Sequence, residues 1–292
     1  MQRVTYVNAY GESIGFGAEP PVLLRSVSGL SRPDAQVMRT QGAYQTGEQV
    51  QRIQFASRSV QVQFDIPPCE SREALYKTRM QMERVLAAGR SMRDGETGFL
   101  IYENDAGRWQ IRAVPEGSVA YGKRFGHALA GGRVSFLCPD AFLEECAEQS
   151  AEMRMGMGAF TLPAVLPVRL GSRRFTATLY NGGTAQAPLR ISIYGTGETP
   201  TVINHTTGAK LVVRRTVSAG ERLDVNTDPL KLSCRLIRQD GTQEDAFGYL
   251  DPSMAVSAFV LACGENEIEY LPSIASGGSR LELTWRNVFE GV

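Results

Sequence analysis

The feature that most constrains this sequence is an alternation of apolar and polar residues that recurs along the chain. In residues 60–66, four apolar side chains alternate with three polar ones, and Pro67 and Pro68 follow. A period of two belongs to a strand with one buried face, and a proline pair cannot continue a hydrogen-bonded ladder. Residues 1–8 alternate in the same way and predict a first strand. The chain is therefore predicted to be mainly β.

One segment has helical periodicity instead. Apolar residues recur at helical spacing from Leu75 to Leu86, Ser71 can cap the start, and Gly89 follows the end. These are the signals that begin and end a helix. We predict one helix, over residues 71–88, in a first half that is otherwise built of strands.

The second half shows only short strand patterns, separated by turn residues such as Asn181-Gly182-Gly183 and Asp240-Gly241. This density of strands is typical of a β-sandwich. Residues 146–159 have weak periodicity of either kind, so we predict a linker there, between domains at 1–145 and 160–292. The predicted strands of the second half are residues 175–180, 189–194, 201–204, 210–214, 222–226, 234–238, 258–261, 267–270 and 280–286.

Charge and cysteine content exclude several classes of protein. Lys plus Arg equals Asp plus Glu, at 31 each, so no net charge draws the chain to nucleic acid or to an anionic membrane. No segment approaches the roughly 20 apolar residues that span a bilayer, so we expect no membrane insertion. The five cysteines include no Cys-x-x-Cys pair and only two histidines are present, which argues against structural zinc. Reduced thiols are expected, and a disulfide stays open.

The candidates for chemistry each have a simpler structural interpretation. Neither His127 nor His205 has a nucleophile or an orienting carboxylate nearby in sequence, so we interpret both as turn histidines. The acidic residues of 144–152 could hold a cation, but their spacing also fits one solvated face of a short helix or linker. Arg169, Arg173 and Arg174 lack the pattern of a P-loop and suit a solvated hairpin, or a partner's acidic surface. The sequence predicts no catalytic, cofactor or metal site.

A polar excursion at residues 31–51 is the strongest candidate for an interaction site. It is longer than the usual connection between strands, and such excursions are commonly functional arms or disordered loops. We predict an arm that reaches a neighbouring subunit, with a flexible loop as the alternative. The candidate inter-subunit residues are Arg32, Val37, Met38, Arg39, Tyr44 and Gln45.

An ordered series of motifs in the second half resembles, in order and spacing, the C-terminal domain of phage distal tail proteins. The first half agrees through Gly29-Leu30, the polar excursion, Arg58 before a strand, the helix, and residues 136–142. The resemblance covers nearly the whole chain. The motifs of the second half are Asn181-Gly182-Gly183, Ala187-Pro188 and residues 191–195, 203–208, 220–225 and 264–268.

This resemblance implies a ring-forming, β-sandwich-like N-terminal domain and a galectin-like C-terminal β-sandwich. It implies a homo-hexamer in the virion, at the distal end of a long tail, assembled in the host bacterial cytoplasm. The ring would join the tail tube protein to tail-tip or baseplate proteins around a channel through which DNA passes without specific binding. No cofactor is implied, and the protein would be structural and not an enzyme.

Two other classes of function stay open. A carbohydrate-binding adhesion module would need exposed aromatic side chains along a groove, and some relatives carry inserted modules of this kind. A chain of 292 residues has little room for one. An enzyme, such as a tail-tip hydrolase, would need paired carboxylates or a metal cluster, which no motif marks. The aromatic candidates are Tyr180, Tyr194, Tyr249, Tyr270 and Trp285.

Overall fold

The computed structural model describes residues 1–154, 175–195, 198–271 and 279–292. Within them the chain is mainly β, with one α-helix, α1 (Arg72–Val85), and short 3₁₀ turns at Ala88–Arg90, Phe247–Tyr249 and Val256–Ala258. The predicted fold class is confirmed. The strands of the first half are β1 (Arg3–Val7), β2 (Ser13–Phe16), β3 (Leu23–Ser28), β4 (Ala35–Thr40), β5 (Gln49–Phe55), β6 (Arg58–Ile66), β7 (Met92–Arg93), β8 (Glu96–Asn104), β9 (Gly107–Ala120), β10 (Lys123–Phe125), β11 (Ala128–Cys138) and β12 (Leu143–Glu145). Those of the second half are β13 (Gln149–Arg154), β14 (Phe175–Asn181), β15 (Ala187–Tyr194), β16 (Thr201–Asn204), β17 (Lys210–Val212), β18 (Arg222–Asn226), β19 (Ser233–Ile237), β20 (Gln243–Asp245), β21 (Val260–Leu261), β22 (Gly264–Leu271), β23 (Arg280–Trp285) and β24 (Val288–Phe289).

The chain divides into two compact units. The first contains Met1–Cys146 together with Phe289–Val292, and the second contains Ala147–Val288. The last four residues thus return to the first unit, which the sequence did not indicate. The predicted linker at 146–159 needs a correction, because β13 lies inside it and pairs with β23 throughout. Its residues 155–159 lie outside the described part of the chain.

Strands of the first unit follow one another in the order β2-β1-β8-β9-β11-β6-β3, each antiparallel to its neighbours. Strand β9 pairs with β8 through residues 107–113, with β11 through residues 114–120, and with β12 at residues 109–110. The alternation predicted for residues 60–66 is confirmed in β6, where Val60, Val62 and Phe64 are buried.

Helix α1 confirms the single predicted helix. Ser71 caps it, since its hydroxyl oxygen accepts a hydrogen bond from the Ala74 N–H at 3.1 Å. The helix buries Leu75, Met82 and Val85 in the core of the first unit. It ends at Val85, three residues before the predicted end, and a 3₁₀ turn follows.

Glu12 ties the turn between β1 and β2 to the end of α1. Its carboxylate pairs with Arg84 in the last turn of the helix and with Arg90, and accepts a hydrogen bond from Asn8 Nδ2 at 3.2 Å. The hydrogen bond from Arg90, followed by that from Asn8, lowers the pKa of Glu12 to about 2. This carboxylate therefore stays ionised far below its ordinary pKa of 4.5.

The second unit is a β-sandwich. One sheet has the order β13-β23-β15-β18-β19-β20, with β21 added to β15, and the other has the order β14-β22-β16-β17. Ile191 and Leu223 from the first sheet and Val202 and Ile268 from the second are all buried. The nine strands predicted for this half are present, with ends displaced by at most three residues.

The Asn181-Gly182-Gly183 turn shows why small residues are needed there. Asn181 is buried, and its side chain donates to Ala185 O at 2.9 Å and accepts from the Gly183 N–H at 3.0 Å. A Cβ on Gly183 would lie 2.1 Å from Val288 O, inside van der Waals contact, whereas one on Gly182 would meet nothing closer than 3.4 Å. Only Gly183 is required by packing.

Candidate assembly site

Strands β4 and β5 form a hairpin that pairs with no other described strand. We call residues 35–55 the arm, and residues 29–34 with 56–58 the root. An isolated two-stranded hairpin is marginally stable in water, and its unpaired edges invite pairing with another chain. At about 3.4 Å per residue, β4 alone extends roughly 20 Å.

One face of the arm carries an apolar stripe. Val37 lies opposite Ile53 and Arg39 lies opposite Val50, because the register shifts between Met38 and Arg39. Val37, Val50 and Ile53 are 43%, 55% and 53% exposed. Exposed apolar side chains on one face of a hairpin mark a surface suited to a protein partner.

Polar contacts shape the far half of the arm. Arg39 and Glu48 pair across the hairpin at 2.9 Å, between Nη1 and Oε2. In the connecting loop, Gln45 N–H donates to Gly42 O at 3.0 Å, and Gln41 Nε2 donates to Gln45 O at 3.1 Å. Tyr44 is fully exposed beside them. The loop is therefore ordered by its own hydrogen bonds and presents an aromatic ring to solvent.

The root is joined to the core by Arg58, which is 6% exposed. Its guanidinium donates to Gly29 O at 3.3 Å and to Ser31 O at 3.1 Å, on the segment between β3 and the arm. It also donates to Ala141 O through Nε at 2.8 Å and through Nη2, and to Glu290 O at 2.6 Å. All these acceptors are backbone carbonyls, and burial lowers the pKa of Arg58 from its ordinary value.

An aromatic pair and a backbone contact complete the root. Phe55, at the end of β5, packs edge-on against Phe142 with ring centroids 5.0 Å apart. The two sides of the root meet where the Ala56 N–H donates to Asp34 O at 3.4 Å. The arm therefore leaves the first unit from two adjacent points of the backbone.

The six sequence-predicted arm residues fall into three groups. Val37, Met38 and Arg39 lie on β4, and Tyr44 and Gln45 lie in the loop. Arg32 lies in the root, where its Nε is 3.5 Å from Glu290 Oε2. Sequence reasoning missed Val50 and Ile53, which belong to the same exposed stripe. The signal was present in the apolar positions of residues 49–55, but that stretch does not alternate regularly.

The other candidates for chemistry are placed as follows. His127 is exposed in a turn, as interpreted from the sequence. His205 Nε2 lies 2.7 Å from the buried Glu269 Oε2, a carboxylate that sequence spacing could not reveal. In the described part of the chain its side chain bonds to no serine, threonine or cysteine. The three arginines at 169, 173 and 174 lie outside the described residues.

Of the acidic residues of 144–152, Glu144 and Glu145 lie on β12 and Glu152 lies on β13, whereas Glu148 lies between these strands, so the interpretation as a helix face was wrong. Glu152 pairs with Arg154 at 2.7 Å and with Arg280 at 3.2 Å, and these arginines, chiefly Arg154, lower the pKa of Glu152. The described ranges contain no cluster of three or more His, Cys, Asp or Glu side chains that could hold a metal ion. Among the same residues no helix is long and apolar enough to cross a bilayer.

The five aromatic candidates for a carbohydrate surface do not form a shared platform. Tyr270 and Trp285 are buried. Arg280 covers the ring of Tyr194 at 3.8 Å from its centroid, and Arg215 covers that of Tyr249 at 4.5 Å. Of the five, Tyr180 is the one that is strongly exposed.

All five cysteines are free thiols. Cys138 and Cys234 are buried, and burial raises the pKa of each thiol to about 12. Cys69 and Cys146 are half-buried, and Cys263 is exposed. The two buried thiols are therefore held in their neutral, unreactive form at neutral pH.

Comparison with solved structures gives matches over the whole chain. The chain is similar to the SPP1 Dit (gp 19.1) protein, described as a paradigm of the hub adsorption apparatus in phages that infect Gram-positive bacteria. The TM-score is 0.63 at 13% identity, over 98% of this chain and 99% of that one. It is also similar to a chain of the phage P2 baseplate in its activated conformation with Ca, with a TM-score of 0.54 at 11% identity over 100% and 99%. The corresponding baseplate with Sr gives 0.53 at 11% identity over 97% of each chain.

No protein-family model and no curated protein sequence matches the chain. The solved structures show its fold: it has the fold of phage tail and baseplate hub proteins. Within that class, the fold is that of Dit, the distal tail protein, which the sequence motifs resemble.

Proposed function

We propose that this protein is the structural hub of a phage tail tip or baseplate, and that it acts as a ring and not as an enzyme. The ring is a homo-hexamer that joins the tail tube protein to the tip or receptor-binding apparatus around the DNA exit channel. It forms in the bacterial cytoplasm and ends in the virion, at the distal end of the tail.

The observation that carries this proposal is the likeness to Dit over the full length of both chains. Coverage of 98% and 99% means that neither chain has a large domain that the other lacks. The free arm supports the same proposal, because a hairpin with unpaired edges and an exposed apolar stripe is suited to a partner surface. Heterologous contacts that close by rotation generate a ring, and an arm that reaches the next copy suits such a contact.

In this proposal the arm binds the neighbouring subunit through its apolar stripe. Burial of Val37, Val50 or Ile53 at the interface would stabilise the hexamer by on the order of 1 kcal/mol for each side chain, since these side chains are already about half buried in the single chain. Tyr44, in the loop, adds the aromatic contact that interfaces favour, whereas Met38 lies on the opposite face of β4, with Gln36.

Negative-stain microscopy and native mass spectrometry of the purified full chain test the ring. We expect sixfold rings and a hexamer mass. Uniform monomers at every accessible concentration would contradict the hub proposal.

The arm is tested by replacing residues 36–54 with Gly-Gly, which the pairing of Ala35 with Phe55 permits with little strain and which keeps the contact of Phe55 with Phe142. We expect loss of the hexamer with the monomer still folded. A hexamer of unchanged stability would remove the arm from the interface while leaving the hub proposal in place.

A finer comparison uses the two faces of the arm. Val37→Thr, Val50→Thr and Ile53→Thr together keep β-branched side chains but make the stripe polar, and should weaken the hexamer. Gln36→Thr with Gln54→Thr changes the opposite face and serves as the control. Equal effects of the two sets would show that the stripe is not the contact surface.

A further inference from the structure

The last four residues of the chain lie against the root, although they follow it by more than 230 positions. We call residues 289–292 the tail; in this subsection the word means this segment of the chain and not the phage tail. The Val292 N–H donates to Leu30 O at 3.2 Å, and Glu290 O accepts from Arg58 Nη2 at 2.6 Å. The Glu290 carboxylate lies 3.5 Å from Arg32 Nε. The tail therefore contacts both sides of the root.

Gly291 shows how closely the tail and the root are packed. A Cβ at this position would lie 2.6 Å from Arg32 N and 2.8 Å from Ser31 C, both backbone atoms. Backbone atoms cannot rotate away as the end of a flexible side chain can. Any larger residue at 291 must therefore displace the tail, the root or both.

The side chain of Phe289 also holds the tail to the first unit. The ring of Phe289 packs edge-on against that of Trp109, with centroids 6.1 Å apart, at the border of the hydrophobic core. Phe289 thus anchors the tail, and residues 290–292 reach from this anchor onto the root. Because the tail is anchored at Phe289 and packed against the root, it restricts the movement of the root.

We propose that the tail is a clamp that positions the arm. By joining residues 30–32 to Arg58 and to Phe289, it sets the direction in which the hairpin leaves the first unit. A pre-positioned arm loses less conformational freedom when it binds, so the clamp would favour assembly without touching the neighbour. The use of the arm rests on the proposed function, whereas the clamp itself is a property of the single chain.

Hydrogen–deuterium exchange of the full-length protein tests the clamp in Gly291→Ala. We expect amides of residues 28–34 and 55–60 to exchange roughly tenfold faster than in the parent protein, because overpacking of this kind promotes local opening. Amides of residues 222–237, in the second unit, should be unchanged. Gly248→Ala is the matched control, since a Cβ there meets nothing within 4 Å.

Exchange at the root that is equal in Gly291→Ala and Gly248→Ala would overturn the clamp. If Gly291→Ala does not fold, Val292→Pro replaces it, because proline removes the N–H bonded to Leu30 O and adds no atom at 291. Faster exchange at the root again supports the clamp, and unchanged exchange overturns it. Native mass spectrometry of the parent protein reports separately on the hub proposal, so the two failures are distinguishable.

Discussion

Replacing Arg58 by lysine tests how the root is built. The arginine makes its hydrogen bonds to four carbonyl groups from three separate segments of the chain, and none of these acceptors is a side chain. Lysine keeps the positive charge but presents it from one atom, with three donors and no planar fork. It cannot serve the carbonyls of Gly29, Ser31, Ala141 and Glu290 at once.

The expected cost follows from the bonds that are lost. A hydrogen bond from a charged donor contributes about 1.5–3 kcal/mol, and a buried acceptor left without a donor costs about 1–3 kcal/mol. Arg58→Lys should break about two of the bonds while the buried cation keeps its desolvation cost. We therefore expect the free energy of unfolding of the first unit to fall by about 2–4 kcal/mol.

The two tryptophans of the chain allow the two units to be measured separately. Trp109 lies in the first unit and Trp285 in the second. In a Trp285→Phe background, the urea unfolding curve followed by fluorescence reports on the first unit. Arg52→Lys, on the exposed arm, is the control and should change stability by less than about 0.5 kcal/mol.

A result for Arg58→Lys within error of Arg52→Lys would refute this reasoning. It would mean that water can donate to the root carbonyls in place of the guanidinium without lowering the free energy of unfolding. A lowered denaturant midpoint with an unchanged slope is the expected form of the loss, because the surface exposed on unfolding stays the same.

Three further outcomes are expected. Gly183→Ala should lower the free energy of unfolding of the second unit by about 1–3 kcal/mol in urea titrations, whereas Gly182→Ala should change it by less than about 1 kcal/mol. The folded pKa of Glu12, about 2, lies below its ordinary value of 4.5, so its stabilisation is present above pH 4.5 and is lost as the pH falls toward 2. Parallel unfolding curves at pH 6 and pH 3 should therefore show a smaller effect of Glu12→Gln at pH 3, and an equal effect would contradict the ion-pair account. A thiol reagent at neutral pH should label three cysteines of the folded protein and reach Cys138 and Cys234 only on unfolding; fast labelling of all five would contradict their burial.

Most strands could be predicted from the sequence because each has one buried face. In β6, for example, every second residue is buried, and the residues between them are exposed or half-buried. The helix was visible through Ser71 and the apolar spacing after it. The arm was recognised only as a polar excursion. Nearly all its side chains are exposed, so apolar and polar residues need not alternate along its strands, and the sequence does not reveal them as strands. Strand β13 was missed for the same reason, as Met153 is its one buried side chain.

The parts of the site that could not be predicted depend on contacts between distant residues. Arg58 looks in sequence like a surface arginine before a strand, and nothing local indicates that Ala141 and Glu290 supply its acceptors. The return of Phe289–Val292 to the first unit is likewise invisible, because no periodicity or motif records it. In the sequence, nothing indicates that position 291 requires glycine; the requirement follows only from the contact with the root backbone.

The hydrogen bonds of the root also explain how the arm can keep its direction when the pH or the salt concentration changes. A carboxylate partner for Arg58 would be protonated in acid, as Glu12 is near pH 2, and the pair would then be lost. Backbone carbonyls do not titrate in this range, and guanidinium stays protonated. The burial of Arg58 excludes much of the water and salt that would screen a surface ion pair. The one ion pair described at the root, Arg32 with Glu290, is 3.5 Å long and largely exposed, so it contributes little. Acid should therefore weaken the contact of Glu12 with the end of the helix before it alters the bonds of Arg58, and exchange at residues 28–34 should be less sensitive to pH, after correction for the intrinsic rate, than exchange at residues 84–90.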